Sequence, residues 1–259
     1  MASIALITGA SGLIGRHVLA QWDVDGLEAE TVDHERDDLL VPGVPTAIVQ
    51  RVRPAVVVHL AWAASGRPGY RHVSDNERWV HSSLELARAC TEMGAALIAT
   101  GTSLDDTEPA DAYSASKVRL RGELEPGIAT GDLTWLRPYY VIDPEHRRPA
   151  LIEQALSARD AGVPVALRTP DSEHDFIHAA DVGNAIVSTV RHHLRGELPI
   201  GSGRLRRVSE LVEALGIPWV SGGASAAQGV SHLNDVADNR RLRALGWAPA
   251  HTDELFERR

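Results

Sequence analysis

The chain has 259 residues, 44% of them hydrophobic, and a formal net charge of -9. That length builds one large domain, or one domain with a smaller lobe, and the acidic balance argues against a nucleic-acid or anionic-membrane surface. Cys90 is the only cysteine, which excludes an intrachain disulfide and a cysteine-built metal site.

Short apolar runs alternate with segments of helical period. Ser3 to Thr8 reads as a buried strand and Leu13 to Trp22 as a helix. Glu28 to Asp33 is a weaker strand, and Pro54 to Leu60 is apolar on both faces. Asp75 to Met93 suits a long helix, with Trp79, Leu86 and Ala89 near one stripe. Ala95 to Thr100 is a strand, Ala112 to Glu123 a helix and Leu133 to Arg137 a strand. Continuous apolar strands alternating with helices predict a doubly wound α/β fold, with a parallel sheet covered on both faces. After Arg137-Pro138 proline, glycine and charge become denser, and helices are expected at Pro149–Ala161, Ala179–His193, Val208–Leu215 and Asn239–Leu245. The expected division is a dinucleotide-binding domain over 1–137 and a smaller, mixed substrate-side lobe over 138–259, with some segments returning to the sheet. Ser221 to Gly229 is Gly/Ser/Ala-rich and reads as a loop.

No run approaches ~20 uninterrupted apolar residues, so no membrane span is expected. The first residues enter a strand-like run at once, so no cleaved leader is expected either. A cytoplasmic protein is the simplest expectation.

Two motifs carry chemistry. Gly9, Gly12 and Gly15, with Ser11, Leu13 and Ile14 between them, lie between a predicted strand and a predicted helix. Missing Cβ atoms let a backbone turn tightly against a pyrophosphate, and the free N–H groups of the following helix face its charge. Asp33 follows eighteen residues after Gly15. A carboxylate there accepts hydrogen bonds from ribose hydroxyls and repels a 2′-phosphate, by roughly 4 kcal/mol per unit charge at 4 Å in an effective dielectric near 20. NAD is therefore the expected cofactor. NADP is the alternative, because Arg36 lies close enough to soften the repulsion.

Tyr113 and Lys117 are four apart, so on a helix they share a face. A free tyrosine has a pKa near ~10, and a nearby ammonium stabilises the tyrosinate and lowers it. The pair begins the helix after the Ala95–Thr100 strand, at the ligand-binding edge of a parallel sheet. Thr102 and Ser103 follow that strand and can hydrogen-bond the same carbonyl. Trp62, Tyr70, Tyr139 and Tyr140 are candidate apolar and stacking surface, with core packing an equal reading for Trp62 and Tyr139. The adjacent His192-His193 pair points to different sides of a helix and makes a poor chelate, and Arg204–Arg207 reads as a solvated turn. No metal site is expected.

These motifs resemble the extended short-chain dehydrogenase/reductases, in particular the NAD-dependent epimerase/dehydratase branch. The likeness runs nearly end to end. It includes the Asp38-Leu39 pair, His59-Leu60-Ala61, Arg137-Pro138, the stretch Asp175 to Val182, Gly201-Ser-Gly203 and the closing Leu245 to Pro249. The resemblance implies catalytic roles for Thr102, Tyr113 and Lys117, with Ser103 the alternative hydroxyl. It implies cofactor contacts at the glycine loop, Asp38, Leu39, Leu60, Ala61, Trp62, Lys117 and Tyr140, and substrate contacts at Ser103, Tyr140 and His174. It also suggests a homodimer built on the helices around Asp75–Met93 and Ala112–Glu123.

The chain departs from the branch in places. Dehydratases carry Asp-Glu directly after the catalytic threonine, where this chain has Ser103-Leu104, while Asp105 and Asp106 come later; dehydration is disfavoured. Tyr140 stands at the family's asparagine and His174 at its arginine, and residues 229–234 supply no late arginine. Arg147, Arg148 and Arg168 are the candidates to replace that charge; without them a nucleoside-diphosphate sugar loses much of its clamp. The leading expectation is an NAD(P)-dependent ketoreductase for a sugar-like or natural-product carbonyl. The alternatives are an NAD-dependent sugar-nucleotide epimerase and a non-catalytic dinucleotide sensor.

Overall fold

The computed structural model describes residues 3–62, 75–104, 111–148, 150–222 and 235–257. Tyr70, Asp105, Asp106, Pro149 and most of the 221–234 stretch lie outside them.

Six parallel strands form the central sheet: β1 (Ser3–Thr8), β2 (Leu27–Thr31), β3 (Val56–His59), β4 (Ala96–Thr100), β5 (Leu133–Pro138) and β10 (Gly196–Ile200). Their order is β2-β1-β3-β4-β5-β10. The chain winds outward from β1 to β2, then returns to the other side of β1 for β3, which creates a crevice at the carboxyl ends of β1 and β3. β3 is buried along its whole length, which explains its uninterrupted apolar run.

Helices cover both faces. On one face α1 (Gly15–Ala20) packs against α6 (Ala179–Arg191). Gly183 lets the two backbones approach: a Cβ there would sit 2.8 Å from the His17 carbonyl carbon. On the other face lie α2 (Val44–Val52), α3 (Asp75–Met93) and α4 (Ala112–Thr130). Cys90 is buried in that layer, and burial pushes its thiol up to about 12, so it is no nucleophile at neutral pH.

α3 matches its predicted bounds. α1 is shorter than predicted because residues 9–14 stay in the glycine loop. α4 continues well past Glu123, through Pro126. Leu120, Leu124 and Ile128 keep their four-residue spacing onto the sheet, so packing outweighs one missing helix bond. α2 escapes the sequence reading. Its N-terminus is capped by a side chain from α3: Glu85 accepts hydrogen bonds from Gly43 N at 3.1 Å, Thr46 N at 3.2 Å and the Thr46 hydroxyl at 2.9 Å. A cap from another helix leaves no local signal.

The remaining chain contains more strand than predicted. β6 (Tyr140–Ile142) pairs with β9 (Phe176–His178), β7 (Val165–Leu167) with β12 (Trp219–Ser221), and β8 (Glu173–His174) with β11 (Arg206–Arg207). Two or three residues are too few for a readable period. With α5 (Ala150–Asp160) and α7 (Val208–Ala214) these pairs enclose a third apolar core around Ile142, Ile152, Leu167, Phe176 and Leu211. α8 (Arg240–Arg243) and α9 (Ala250–Glu257) close the described chain. α6 and β10 belong to the sheet layer, although both follow residue 138. Among the described residues no helix is long and apolar enough to cross a membrane.

Two buried carboxylates join these layers. Asp175 accepts from Ser202 N and Oγ, both at 2.6 Å, from Gly203 N at 2.9 Å and from Ala237 N at 3.0 Å. Burial pushes its carboxyl above the ordinary range, and these donors pull it back. Asp181 accepts from His251 N, Thr252 N and the Thr252 hydroxyl, fastening α9 to α6. The Asp175–Val182 and Gly201–Gly203 stretches, far apart in sequence, are thus one hydrogen-bonded unit.

Candidate active site

The carboxyl edge of the sheet carries a cavity of about 270 Å³. Gly9, Gly12, Leu13, Ile14 and Gly15 line one side, and Leu60, Ala61 and Trp62 the next. Thr102, Ser103, Tyr113, Lys117 and Tyr140 complete it. A larger cleft of about 870 Å³ opens where the strands begin, beside Asp25, Gly94 and Arg195. It lies at the wrong edge for ligands of an open α/β sheet and holds none of the motif residues.

The glycine loop is shaped by close approaches. Gly9 has φ +69°, and a Cβ on it would lie 2.7 Å from Ala61 N. Gly12 N–H donates to Gly9 O at 2.9 Å. A Cβ on Gly15 would fall on that same carbonyl oxygen. The loop therefore packs against its own backbone and against the end of β3, with room for side chains at neither surface.

His59 sets the position of Ala61. The Ser83 hydroxyl donates to Trp79 O at 2.8 Å, so it accepts from His59 Nε2–H at 2.8 Å. His59 Nδ1 then accepts from the Thr8 hydroxyl at 2.8 Å, and Thr8 Oγ1 accepts from Ala61 N–H at 3.1 Å. The chain of donors assigns the neutral Nε2–H tautomer. Burial, then the Lys117 charge, lowers the His59 pKa to about 3. The sign follows: the unfolded chain takes up a proton near pH 6.5 that the folded chain refuses until near pH 3. The contribution is whole above pH 6.5 and is lost as pH falls, by up to about 1.4 kcal/mol per pH unit. Urea denaturation of His59→Gln is expected to show a flatter fall between about pH 6 and pH 4 than the parent. Equal slopes would refute the neutral buried imidazole.

α4 presents Tyr113 and Lys117. Its N-cap Asp111 accepts from Ser114 N at 2.8 Å, and the Ser114 hydroxyl accepts from Asp111 N at 3.1 Å, a reciprocal cap that sets the first turn. Lys117 is only 4% exposed. Its ammonium donates to Thr100 O at 2.8 Å and lies 3.6 Å from the centre of the Trp62 ring. Trp62 is braced in turn: its indole N–H donates to Asn76 Oδ1 at 2.9 Å, it stacks on Trp79, and Tyr113 meets it edge-on at 6.4 Å. Trp62 thus lines the cavity while packing against the core beneath it, through a cation–π contact that spacing alone does not reveal. Thr102 and Ser103 sit on a turn pinned to β5 by Gly101 N to Leu136 O at 2.8 Å and Ser103 N to Pro138 O at 3.1 Å.

The residues read as adenosine contacts lie away from this cavity, around the turn after β2. Asp33 is exposed, and its Oδ1 accepts from Glu35 N at 3.0 Å. Asp38 accepts from Leu40 N at 2.9 Å, and Leu39 is buried in the core beneath α2 and α3. Ser11 is exposed in the glycine loop. Arg36 turns to Asp37 at 2.9 Å, and Arg51 of α2 reaches Asp37 at 2.7 and 3.1 Å. The Arg51 bond, followed by that of Arg36, holds the Asp37 carboxyl below its ordinary range against burial. Asp37 went unnoticed in the sequence because only the fold brings Arg51 to it.

His174 lies in a small adjoining cleft with Ser103, Tyr139, Tyr140 and Asp235. Its ring stacks on Tyr140 at 4.1 Å, and the Tyr139 hydroxyl donates to Asp235 at 3.4 Å. Arg147 is engaged elsewhere, by Glu153 and Asp160 at 2.8 Å each.

A glycine cradle at the switch point of a doubly wound sheet, with a tyrosine and a buried lysine facing it, defines a dinucleotide-dependent enzyme of the short-chain dehydrogenase/reductase class. Residues 5–200 match the model of the NAD dependent epimerase/dehydratase family, and the chain belongs to that family. No curated protein matches it in sequence. Among solved structures it is similar to a Thermus thermophilus UDP-glucose 4-epimerase in complex with NAD, with TM-score 0.73, 22% identity and coverage of 95% of this chain and 94% of that one. A Methanobrevibacter ruminantium UDP-N-acetylglucosamine 4-epimerase, in complex with UDP-N-acetylmuramic acid, gives TM-score 0.76 at 18% identity, covering 99% and 97%. A Bacillus anthracis dTDP-4-dehydrorhamnose reductase in complex with NADP gives 0.76 at 16% identity, also covering 99% and 97%.

Proposed function

We propose that this chain is an NADH-dependent ketoreductase acting on a sugar-like or natural-product carbonyl. The observation that carries the reading is the Lys117 ammonium, held between Thr100 O and the Trp62 ring in the cavity that Tyr113 and Thr102 also line. The residues fit a dinucleotide on two grounds. The glycine loop is a cradle that Cβ atoms would fill, and the buried Thr100 hydroxyl, beside the cavity, has no hydrogen-bond partner among the described residues.

When bound, NADH supplies a hydride to the carbonyl carbon. Tyr113 donates its phenolic proton to the carbonyl oxygen as charge develops there. The Lys117 ammonium stabilises the tyrosinate that remains and would bond the nicotinamide ribose. The Thr102 hydroxyl polarises the carbonyl, with Ser103 next to it. Gly9, Ser11, Gly12, Leu13, Ile14 and Gly15 would hold the pyrophosphate, and Leu60, Ala61 and Trp62 would wall the nicotinamide. Asp33 would take the ribose hydroxyls and Asp38 would lie beside the adenine, while Leu39, buried in the core, supports that turn from beneath. Arg36 is engaged by Asp37, which leaves Asp33 free to disfavour a 2′-phosphate and supports NAD over NADP.

The substrate end supports a carbonyl compound without a diphosphate. His174 and Tyr140 stack as a flat aromatic wall, and Arg147 is held by two carboxylates. A second reading is a 4-epimerase, favoured by the epimerases among the similar structures. Purified protein given NADH and a panel of keto sugars and related ketones is expected to oxidise one NADH per carbonyl reduced. NADPH should serve at least about tenfold less well. Interconversion of epimers on retained NAD, with no net NADH loss, would establish the epimerase instead.

A further inference from the structure

We propose that His17, Asp143 and His146 form a binding site for a divalent transition-metal cation of the zinc class, separate from the dinucleotide cavity. His17 comes from α1, Asp143 from the end of β6 and His146 from the turn that follows. His17 Nε2 and His146 Nδ1 each lie 2.8 Å from Asp143 Oδ2. The three donor atoms all fall within 4.8 Å of one another. Residues 126 positions apart make the pair with His17, so no sequence spacing announces it.

The charge balance argues for a cation. The Asp143 side chain is fully buried, and a buried carboxylate is costly unless something positive meets it. Among the described residues no lysine or arginine pairs with Asp143. A buried carboxylate faced by two imidazoles is zinc-type donor chemistry.

The two pairs made by Asp143 need only a small change to admit an ion. Zinc–nitrogen and zinc–oxygen bonds of about 2.0–2.2 Å place tetrahedral donors about 3.3 Å apart. Each 2.8 Å pair must open by about half an ångström, and each imidazole must give up the hydrogen it now donates to Asp143. The His146 side chain is 38% exposed and provides the solvent side through which an ion and a fourth, water ligand can arrive. Asp143 Oδ1 is oriented by His146 N–H at 3.1 Å. His178 packs edge-on against His17 at 6.0 Å and stacks on His251 at 5.5 Å. A bound ion would tether α1, the helix behind the glycine loop, to the turn after β6.

The test uses the full chain, freed of metal by a chelator. Titration with Co2+ is expected to give one equivalent bound with the visible absorption of a four-coordinate ion, displaced by one equivalent of Zn2+. His146→Ala, an exposed ligand whose loss should leave the fold intact by circular dichroism, is expected to weaken Zn2+ binding by about a hundredfold or more. His192→Ala, at the surface end of α6, should leave it unchanged. Absence of stoichiometric binding would overturn the site. So would equal affinity in the parent and His146→Ala, or an equal loss in His192→Ala.

Discussion

Replacing Tyr113 with phenylalanine is expected to lower kcat by about 10²- to 10⁴-fold, the usual contribution of a positioned general acid, while leaving dinucleotide binding intact. The substitution removes one hydroxyl and keeps the ring that meets Trp62 edge-on at 6.4 Å. The glycine loop, His59 and Lys117 are untouched, so affinity for NADH has no reason to change. Single-turnover kinetics with NADH, alongside equilibrium binding, separate the two effects. Undiminished turnover by Tyr113→Phe on an established substrate would remove the proton-transfer role and favour a dinucleotide sensor. Lost binding together with lost turnover would mean that the hydroxyl supports the dinucleotide site rather than moving a proton.

Asp175→Ala is expected to destabilise the fold by about 3–5 kcal/mol. The carboxylate is 1% exposed and accepts from three backbone N–H groups and one hydroxyl. Each donor left buried without a partner costs about 1–3 kcal/mol, and water entering the gap returns part of that. Equilibrium urea denaturation measures the loss; for a chain of this size the midpoint of thermal unfolding should drop by roughly 10 °C. A change below about 1 kcal/mol would show that the segment around Gly201 holds its place without Asp175.

These two residues differ in how they can be read from sequence. Tyr113 and Lys117 sit four apart on one helix, and a helix places such residues on one face whatever surrounds it. The three glycines follow a strand directly, so their turn is also a local matter. Five of the six sheet strands were legible because residues such as Val56, Val57 and Val58 are apolar on both faces, as burial in a parallel sheet requires, whereas β10, with the sequence Gly-Glu-Leu-Pro-Ile, was not read as a strand. Asp175 stood out only through a family resemblance, and nothing local indicated that it joins Ser202 and Ala237.

The unread parts share one cause. α2 depends on Glu85 from α3 for its cap, Asp37 on Arg51, and Trp62 on an ammonium fifty-five residues away. Short strands such as β8 and β11 exist only because each finds the other. Local periodicity and turn chemistry therefore carried the class of fold, the cradle and the Tyr–Lys pair. Only the folded chain decided that Lys117 lies against Trp62, that His59 stays neutral behind the glycine loop, and that His17 meets Asp143 and His146. Those are long-range contacts, set by how helices and strands pack, and a linear pattern holds no record of them.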